Sequence, residues 1–239
     1  MCNLYSMTSN KEAIREFARY LRVAVNADNL GSHPDVFPNE YAPIVRNTLD
    51  GRELALSRWG MPKSAKALEG KNYDNGVTNV RETDSWHWRQ WLDVENRCVV
   101  PVTSFCEPDQ ASGSKENIWF ALTEDRPLFF FAGIWLPSWT SVRKVSEGES
   151  TDDLYAFLTT EANKDVGTFH PKAMPVILRT PASIDYWLSA DVDDALDLQR
   201  PLANGTLQVV ARGQKFDPPW AEPRHPAFAP TPKPQLDLF

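Results

Sequence analysis

The sequence predicts an α+β fold in one domain, built on a mainly antiparallel, barrel-like β-sheet system with flanking helices. Three observations predict it. Short β-prone runs recur between residues 44 and 211, divided by segments rich in Gly, Pro, Asn and Asp. Two helical patterns interrupt that series, and no repeat or compositional break divides it.

In chain order, Ser9-Asn10-Lys11-Glu12 reads as a capping box, and Ala13, Ile14, Phe17, Ala18 and Leu21 follow at helical spacing, so a helix is expected over 10–23. The turn formers of 28–43 predict a loop. Strands are expected at 44–46, 53–59, 98–102, 118–122, 128–135, 154–159, 176–178 and 207–211. Helices are expected over 84–94 and 182–188, the second preceded by Pro181, a residue favoured at helix starts. The Ser, Lys, Glu and Gly of 138–152 predict an exposed connection. Beyond Asp217 the prolines at 218, 219, 223, 226, 230, 232 and 234 exclude a regular core, which gives a domain over 1–216 and an extended tail over 217–239.

Composition narrows the function classes. With 42% hydrophobic and 24% charged residues, the 239-residue chain has the make-up of a soluble globular protein. No apolar run approaches the ~20 residues that span a bilayer, so a cytoplasmic protein with no membrane contact is expected. A net charge of −7 argues against non-specific coating of nucleic acid but leaves room for a local basic groove. Three cysteines without close pairing fit a reducing compartment. The four histidines, at 33, 87, 170 and 225, are too scattered for a structural zinc site. No metal and no cofactor are expected, and a monomer is.

The chemistry begins at Met1-Cys2-Asn3-Leu4-Tyr5. Removal of the initiator methionine would leave Cys2 with both an α-amine, of ordinary pKa ~7.7–8.0, and a thiol near ~8.5. An aldehyde meets both groups in turn, because the amine forms an imine and the sulfur then closes on it to give a five-membered thiazolidine. Four further segments hold polar residues that packing alone does not call for. They are Asn79-Val80-Arg81-Glu82-Thr83, Arg97-Cys98-Val99-Val100-Pro101 leading to Glu107, His170-Pro171-Lys172-Ala173-Met174-Pro175, and Arg58-Trp59-Gly60-Met61-Pro62.

Taken in this order, and with the phrases Phe131-Ala132-Gly133-Ile134-Trp135 and Leu158-Thr159-Thr160-Glu161-Ala162-Asn163, these segments resemble the SOS response-associated peptidase (SRAP) family over roughly residues 2–210. The resemblance implies a protein of the DNA damage response that binds abasic sites in single-stranded DNA and forms a thiazolidine DNA–protein cross-link through Cys2. It also implies autoproteolytic removal of Met1, hence (auto)peptidase and lyase chemistry.

By the same resemblance Cys2 is the nucleophile and Asn79, Glu107 and His170 surround it. Elementary chemistry gives them roles. A histidine near pKa ~6.5 suits opening of the sugar ring. A carboxyl in apolar surroundings has a raised pKa and can shuttle protons at the imine. Asn79 can only hold hydrogen bonds. Asn3, Arg58, Arg81 and Lys172 are candidate DNA contacts, and Trp59, Met61 and Pro62 a candidate wedge against a base. Asn3-Leu4 stands where the family carries Gly-Arg, which removes a phosphate contact at position four.

Gln235-Leu236-Asp237-Leu238-Phe239 looks like the pentapeptide by which bacterial repair proteins dock on the sliding clamp, with two leucines and a phenylalanine to fill an apolar pocket. Two other functions compete with the abasic-site reading. One is a peptidase that uses Cys2 as an amino-terminal nucleophile, and the other is a non-catalytic DNA or clamp adaptor.

Overall fold

A computed structural model describes residues 2–8, the backbone of 23–25, and residues 33–217. The expected helix over 10–23 lies outside the described residues except at its last residue, Val23, which opens a strand. The tail from residue 218 also lies outside them.

The strands, in order, are β1 (Tyr5–Met7), β2 (Val23–Val25), β3 (His33–Val36), β4 (Tyr41–Thr48), β5 (Gly51–Trp59), β6 (Asn79–Val80), β7 (Arg97–Val102), β8 (Ser104–Pro108), β9 (Asn117–Ala121), β10 (Phe129–Lys144), β11 (Gly148–Thr160), β12 (Met174–Pro175), β13 (Ile177–Leu178) and β14 (Gln208–Arg212). The helices are short: α1 (Ala65–Leu68), α2 (Trp86–Arg89), α3 (Lys164–Gly167), α4 (Pro181–Ser189) and α5 (Val192–Leu196).

Five strands close on themselves. Antiparallel pairs link β11 to β10, β10 to β7, β7 to β4 and β4 to β5, and β5 returns to β11 through a parallel pair in which Leu154 faces Arg58 and Tyr155 faces Trp59. The result is the expected barrel, mainly antiparallel but closed by one parallel pair, with its edges removed by closure. A second, antiparallel sheet of order β14-β9-β8-β1-β3 packs on it.

The run Phe129-Phe130-Phe131-Ala132-Gly133-Ile134-Trp135 is apolar at nearly every position because both of its faces are buried. Phe129 and Phe131 join Tyr5, Phe105 and Phe120 of the second sheet, while Phe130 and Ile134 join Trp187 of α4 in another cluster. Helix α4 starts at Pro181, the residue that predicted it, and Thr180 and Ser183 add a reciprocal capping box. Its far end is tied down by Arg97, which donates to the carbonyls of Leu92, Trp187 and Ala190.

Three expectations are corrected. Residues 33–36, expected in a loop, form β3 beside β1, with Tyr5 opposite Val36. The helix expected over 84–94 is only the single turn of α2, followed by a 3₁₀ turn at Val94–Asn96, because the chain bends to bury Trp88, Trp91 and Leu92 together. The expected connection over 138–152 is the outer half of the β10–β11 hairpin, paired from Trp139↔Asp152 to Lys144↔Gly148. Near its tip Arg143, 1% exposed, donates to the Gly60 carbonyl at 2.5 Å and the Asp74 carbonyl at 3.1 Å.

Gly76 makes this docking fit. Its φ is +78°, and a Cβ there would lie 2.8 Å from both the Gly60 Cα and Arg143 Nη1. Gly76→Ala is therefore expected to lower the unfolding free energy by ~2 kcal/mol through backbone strain and displacement of the Arg143 contact. Chemical denaturation of the two proteins measures this, and equal stabilities would remove the packing role of Gly76.

Candidate active site

The start of the chain is fixed by the second sheet. Cys106 N–H donates to the Leu4 carbonyl at 2.9 Å and Thr103 N–H to the Ser6 carbonyl at 2.8 Å, so residues 4–6 run beside β8. Below them the Tyr5 and Tyr155 hydroxyls share a hydrogen bond of 2.5 Å between the second sheet and the barrel. Cys2 is buried, and its thiol points to the Leu4 carbonyl at 3.5 Å.

Asn79 comes from the other direction. Strand β6 lies parallel to β11, with Asn79 opposite Phe157, and this pairing aims the side chain at the chain start. Its Nδ2 donates to the Cys2 carbonyl at 2.8 Å and to Thr78 Oγ1 at 2.7 Å. Its Oδ1 is buried and has no hydrogen-bond partner among the described residues, so it is an acceptor available to a donor brought by a ligand.

Glu107, on β8, and His170, just beyond α3, are both fully buried, with Oε2 and Nε2 3.6 Å apart. Asn163 caps α3 by accepting from Val166 N–H at 3.1 Å, and His170 N–H closes on the Val166 carbonyl at 2.8 Å. The cap thereby sets the place of the imidazole.

Burial sets the proton inventory. It pushes the Glu107 carboxyl up to about 8, so this group is largely a neutral acid at pH 7. Burial also brings the His170 imidazole down to about 4, assisted by the Lys172 charge and opposed by a hydrogen bond to the Pro108 carbonyl. The Cys2 thiol is held well above its ordinary value by burial first and the Glu107 charge second. The raised carboxyl agrees with the sequence expectation for Glu107, whereas the imidazole departs from the ordinary histidine value: the carboxyl carries the proton, and the imidazole is neutral.

A cleft of about 680 Å³ is lined by Asn3, Leu4, Thr78, Cys106, Pro108 and Lys215 among others, which include the chain neighbours of the buried Cys2, Asn79 and Glu107. Asn3 is exposed, and its Oδ1 accepts from Thr78 Oγ1 at 3.4 Å. The other expected DNA contacts are placed differently. Arg58 is 6% exposed and bound to Asp152 and Glu147, each at 3.1 Å, so its charge is spent inside the protein. Trp59 and Met61 are fully buried and Pro62 is buried, which leaves none of them able to wedge against a base. Trp59 instead stacks on Phe157 at 5.2 Å and donates to the Thr78 carbonyl at 3.0 Å. Arg81 is exposed beside Glu161 at 3.7 Å, and Lys172 is exposed.

Two participants escaped the sequence reading. Thr78 links Asn79 to Asn3, and its only signal was adjacency to Asn79. The Tyr5–Tyr155 pair joins residues 150 positions apart and needed the strand register to be seen. Among the described residues no group of His, Cys, Asp and Glu side chains could hold a metal ion, and no helix is long and apolar enough to cross a membrane.

Fold and site together define a closed β-barrel protein that seats a cysteine near its chain start beside a buried carboxyl–imidazole pair. The family model described as SOS response associated peptidase (SRAP) matches residues 1–213, and the chain belongs to that family. No curated protein matches. Among solved structures, a protein from Bordetella bronchiseptica is similar at 25% identity and a TM-score of 0.64, covering 87% of this chain and 97% of that one. A protein from Bacteroides thetaiotaomicron, at 21% identity and a TM-score of 0.64, covers 87% and 90%. A phage-related protein from B. bronchiseptica, at 21% and 0.61, covers 87% and 92%.

The two buried groups predict a pH signature. A carboxyl raised to about 8 contributes stability that is present below its unfolded value near ~4.5 and is lost as pH rises through 8. An imidazole lowered to about 4 contributes stability that is lost as pH falls from ~6.5 through 4. The slopes oppose each other between ~4.5 and ~6.5, which leaves Glu107 acting alone from ~6.5 to 8. The melting temperature should fall across that interval in the wild type and stay level in Glu107→Gln. An identical fall in both would show that Glu107 is not the buried acid.

Proposed function

We propose that this protein is a sensor of abasic sites in single-stranded DNA that captures the ring-opened sugar through Cys2 once Met1 has been removed. One observation carries the reading: the Glu107 carboxyl lies 3.6 Å from the His170 imidazole, both fully buried, beside a cysteine whose carbonyl Asn79 holds. Such a pair can move a proton both ways at neutral pH.

The steps follow from the proton inventory. His170 takes the proton of the anomeric hydroxyl while Glu107 gives one to the ring oxygen, and the sugar opens to an aldehyde. The Cys2 amine, the more available nucleophile because the thiol is held protonated by burial, adds to the aldehyde carbon. His170 returns its proton to Glu107, which protonates the carbinolamine hydroxyl; water leaves, the nitrogen gives its remaining proton to the Glu107 carboxylate, and an imine forms. The thiol then adds across the imine, its sulfur bonding to carbon and its proton passing to nitrogen. Asn79 Oδ1 accepts a hydrogen bond from the amine or a sugar hydroxyl throughout.

The family description favours a second reading, a peptidase. A thiol held protonated is a poor nucleophile towards peptides in general, which restricts this reading to an intramolecular cut after Met1. The tail residues Gln235-Leu236-Asp237-Leu238-Phe239 would deliver the domain to replicating DNA by docking on a sliding clamp.

Incubation of the full chain with an abasic single strand should give a species that survives a denaturing gel. Cys2→Ala should give none, and Glu107→Gln should form it about 100-fold more slowly. The wild-type rate should rise with pH as the amine loses its proton and fall above pH 8 as Glu107 loses its own. No adduct from the wild type, or turnover of peptides in trans, would reject the capture mechanism.

A further inference from the structure

Asp217 stands beyond residues 1–213, which the family model matches, yet its side chain is 1% exposed. Its carboxylate accepts from Ser104 Oγ at 2.6 Å and from Arg126 Nε and Nη2 at 3.2 and 3.0 Å. Its backbone N–H donates to Asp35 Oδ1 at 2.7 Å. The partners belong to different strands, because Ser104 opens β8 and Asp35 is in β3. Between them runs β1, where Ser6 is paired with Ser104 and its Oγ accepts from the Asp35 N–H at 3.1 Å. One residue therefore spans three neighbouring strands, from β8 over β1 to β3.

The junction is made from strained pieces. Asp35 and Arg126 both have left-handed backbone, with φ of +57° and +48°, a region few non-glycine residues enter. Both bond to Asp217, and strain of this kind persists only where surrounding contacts over-determine it. Strand β1 depends on such a hold. It is three residues long, and its outer neighbour β3 is the edge of the sheet, with a shift of register between Tyr5 and Met7. An edge strand that peels away would take with it one of the two partners of β1, and a chain start without such ties is poorly ordered.

We propose that Asp217 is a positioning residue for Cys2: by stapling β3 to β8 it holds β1, the strand that begins three residues after Cys2 and sets its place. The proposal rests on the abasic-site reading for the reaction that Cys2 performs. Asp217 reaches β1 only through Asp35 and Ser104, so it governs how large a share of the molecules have the amine and thiol in place to attack. Its loss therefore lowers the rate of capture from a bound strand and leaves the affinity for the strand alone.

Two variants of the full chain cut the staple at different points. Asp217→Ala removes the arm to β8, and Asp35→Ala removes the arm to β3 without leaving Arg126 unpaired. Asp35→Asn keeps an acceptor for the Asp217 N–H and tolerates left-handed backbone. Hydrogen exchange reads the hold directly, through the Thr103 and Cys106 amides that donate to the Ser6 and Leu4 carbonyls, with the Ala132 amide of β10, bonded to the Val176 carbonyl, as the reference. Each alanine variant should speed exchange at Thr103 and Cys106 about tenfold and leave Ala132 unchanged, and Asp35→Asn should keep the wild-type rates. With saturating abasic strand the alanine variants should form the adduct about tenfold more slowly at an unchanged half-saturating strand concentration, again with rescue by Asp35→Asn. Exchange that rises equally at Ala132 would make the junction a general support of the fold and overturn the proposal. Unchanged rates at Thr103 and Cys106, or an adduct rate that stays at the wild-type value, would overturn it too. A wild type that forms no adduct removes the capture reading, and exchange at Thr103 and Cys106 then decides the staple by itself.

Discussion

The structure depends on β11 more than on any other element, because one strand has to satisfy pairing demands along its whole length. Its outer part carries the hairpin with β10, its middle closes the barrel against β5 at Leu154 and Tyr155, and its inner part binds β6 at Phe157 and Leu158 and β12 at Thr159 and Thr160. Closure and site therefore share a backbone. The same few residues that remove the barrel's edges aim Asn79 at the chain start, and Tyr155 contributes the hydroxyl that meets Tyr5. A shift of register by one residue would turn Tyr155 and Phe157 to the opposite face and take both connections away.

Burial then does what charge partners do in many other sites. Glu107 and His170 are fully enclosed, and enclosure disfavours the ionised form of each. A carboxyl beside an imidazole commonly forms a charged pair. Here both groups are driven towards neutrality, so a proton can pass between them without creating a buried charge that lacks a counter-charge. Arg58 is neutralised by Asp152 and Glu147, and the charge of the exposed Lys172 acts in the same sense as burial on the imidazole.

Much of the fold was legible from local pattern. The eight expected strands all have counterparts, and the start of α4 was readable from Pro181. What was not legible depended on partners distant in sequence. Residues 138–152 have a loop-like composition, yet they pair because Arg143 has a pair of carbonyls at Gly60 and Asp74 to hold. The four candidate residues Cys2, Asn79, Glu107 and His170 were named from an ordered set of motifs, but their meeting depends on β1 beside β8 and β6 beside β11. Residue type also misled: Arg58, Trp59 and Met61 have the chemistry of a nucleic-acid contact, and only the packing of β5 against β11 shows that they face inward. The ordinary titration range of histidine misled in the same way, since no local sequence feature reports enclosure.

Asn79 grips a main-chain atom of Cys2 and leaves the thiol out of the bond. The anchor at position two is consequently indifferent to which side chain stands there, and under the proposed capture it would persist after sulfur and nitrogen had been consumed in a covalent bond. The chain start is thus held by a fastening that chemistry at the same residue does not unpick, and a captured strand would stay moored to the barrel's own hydrogen-bond framework as well as to a single flexible residue.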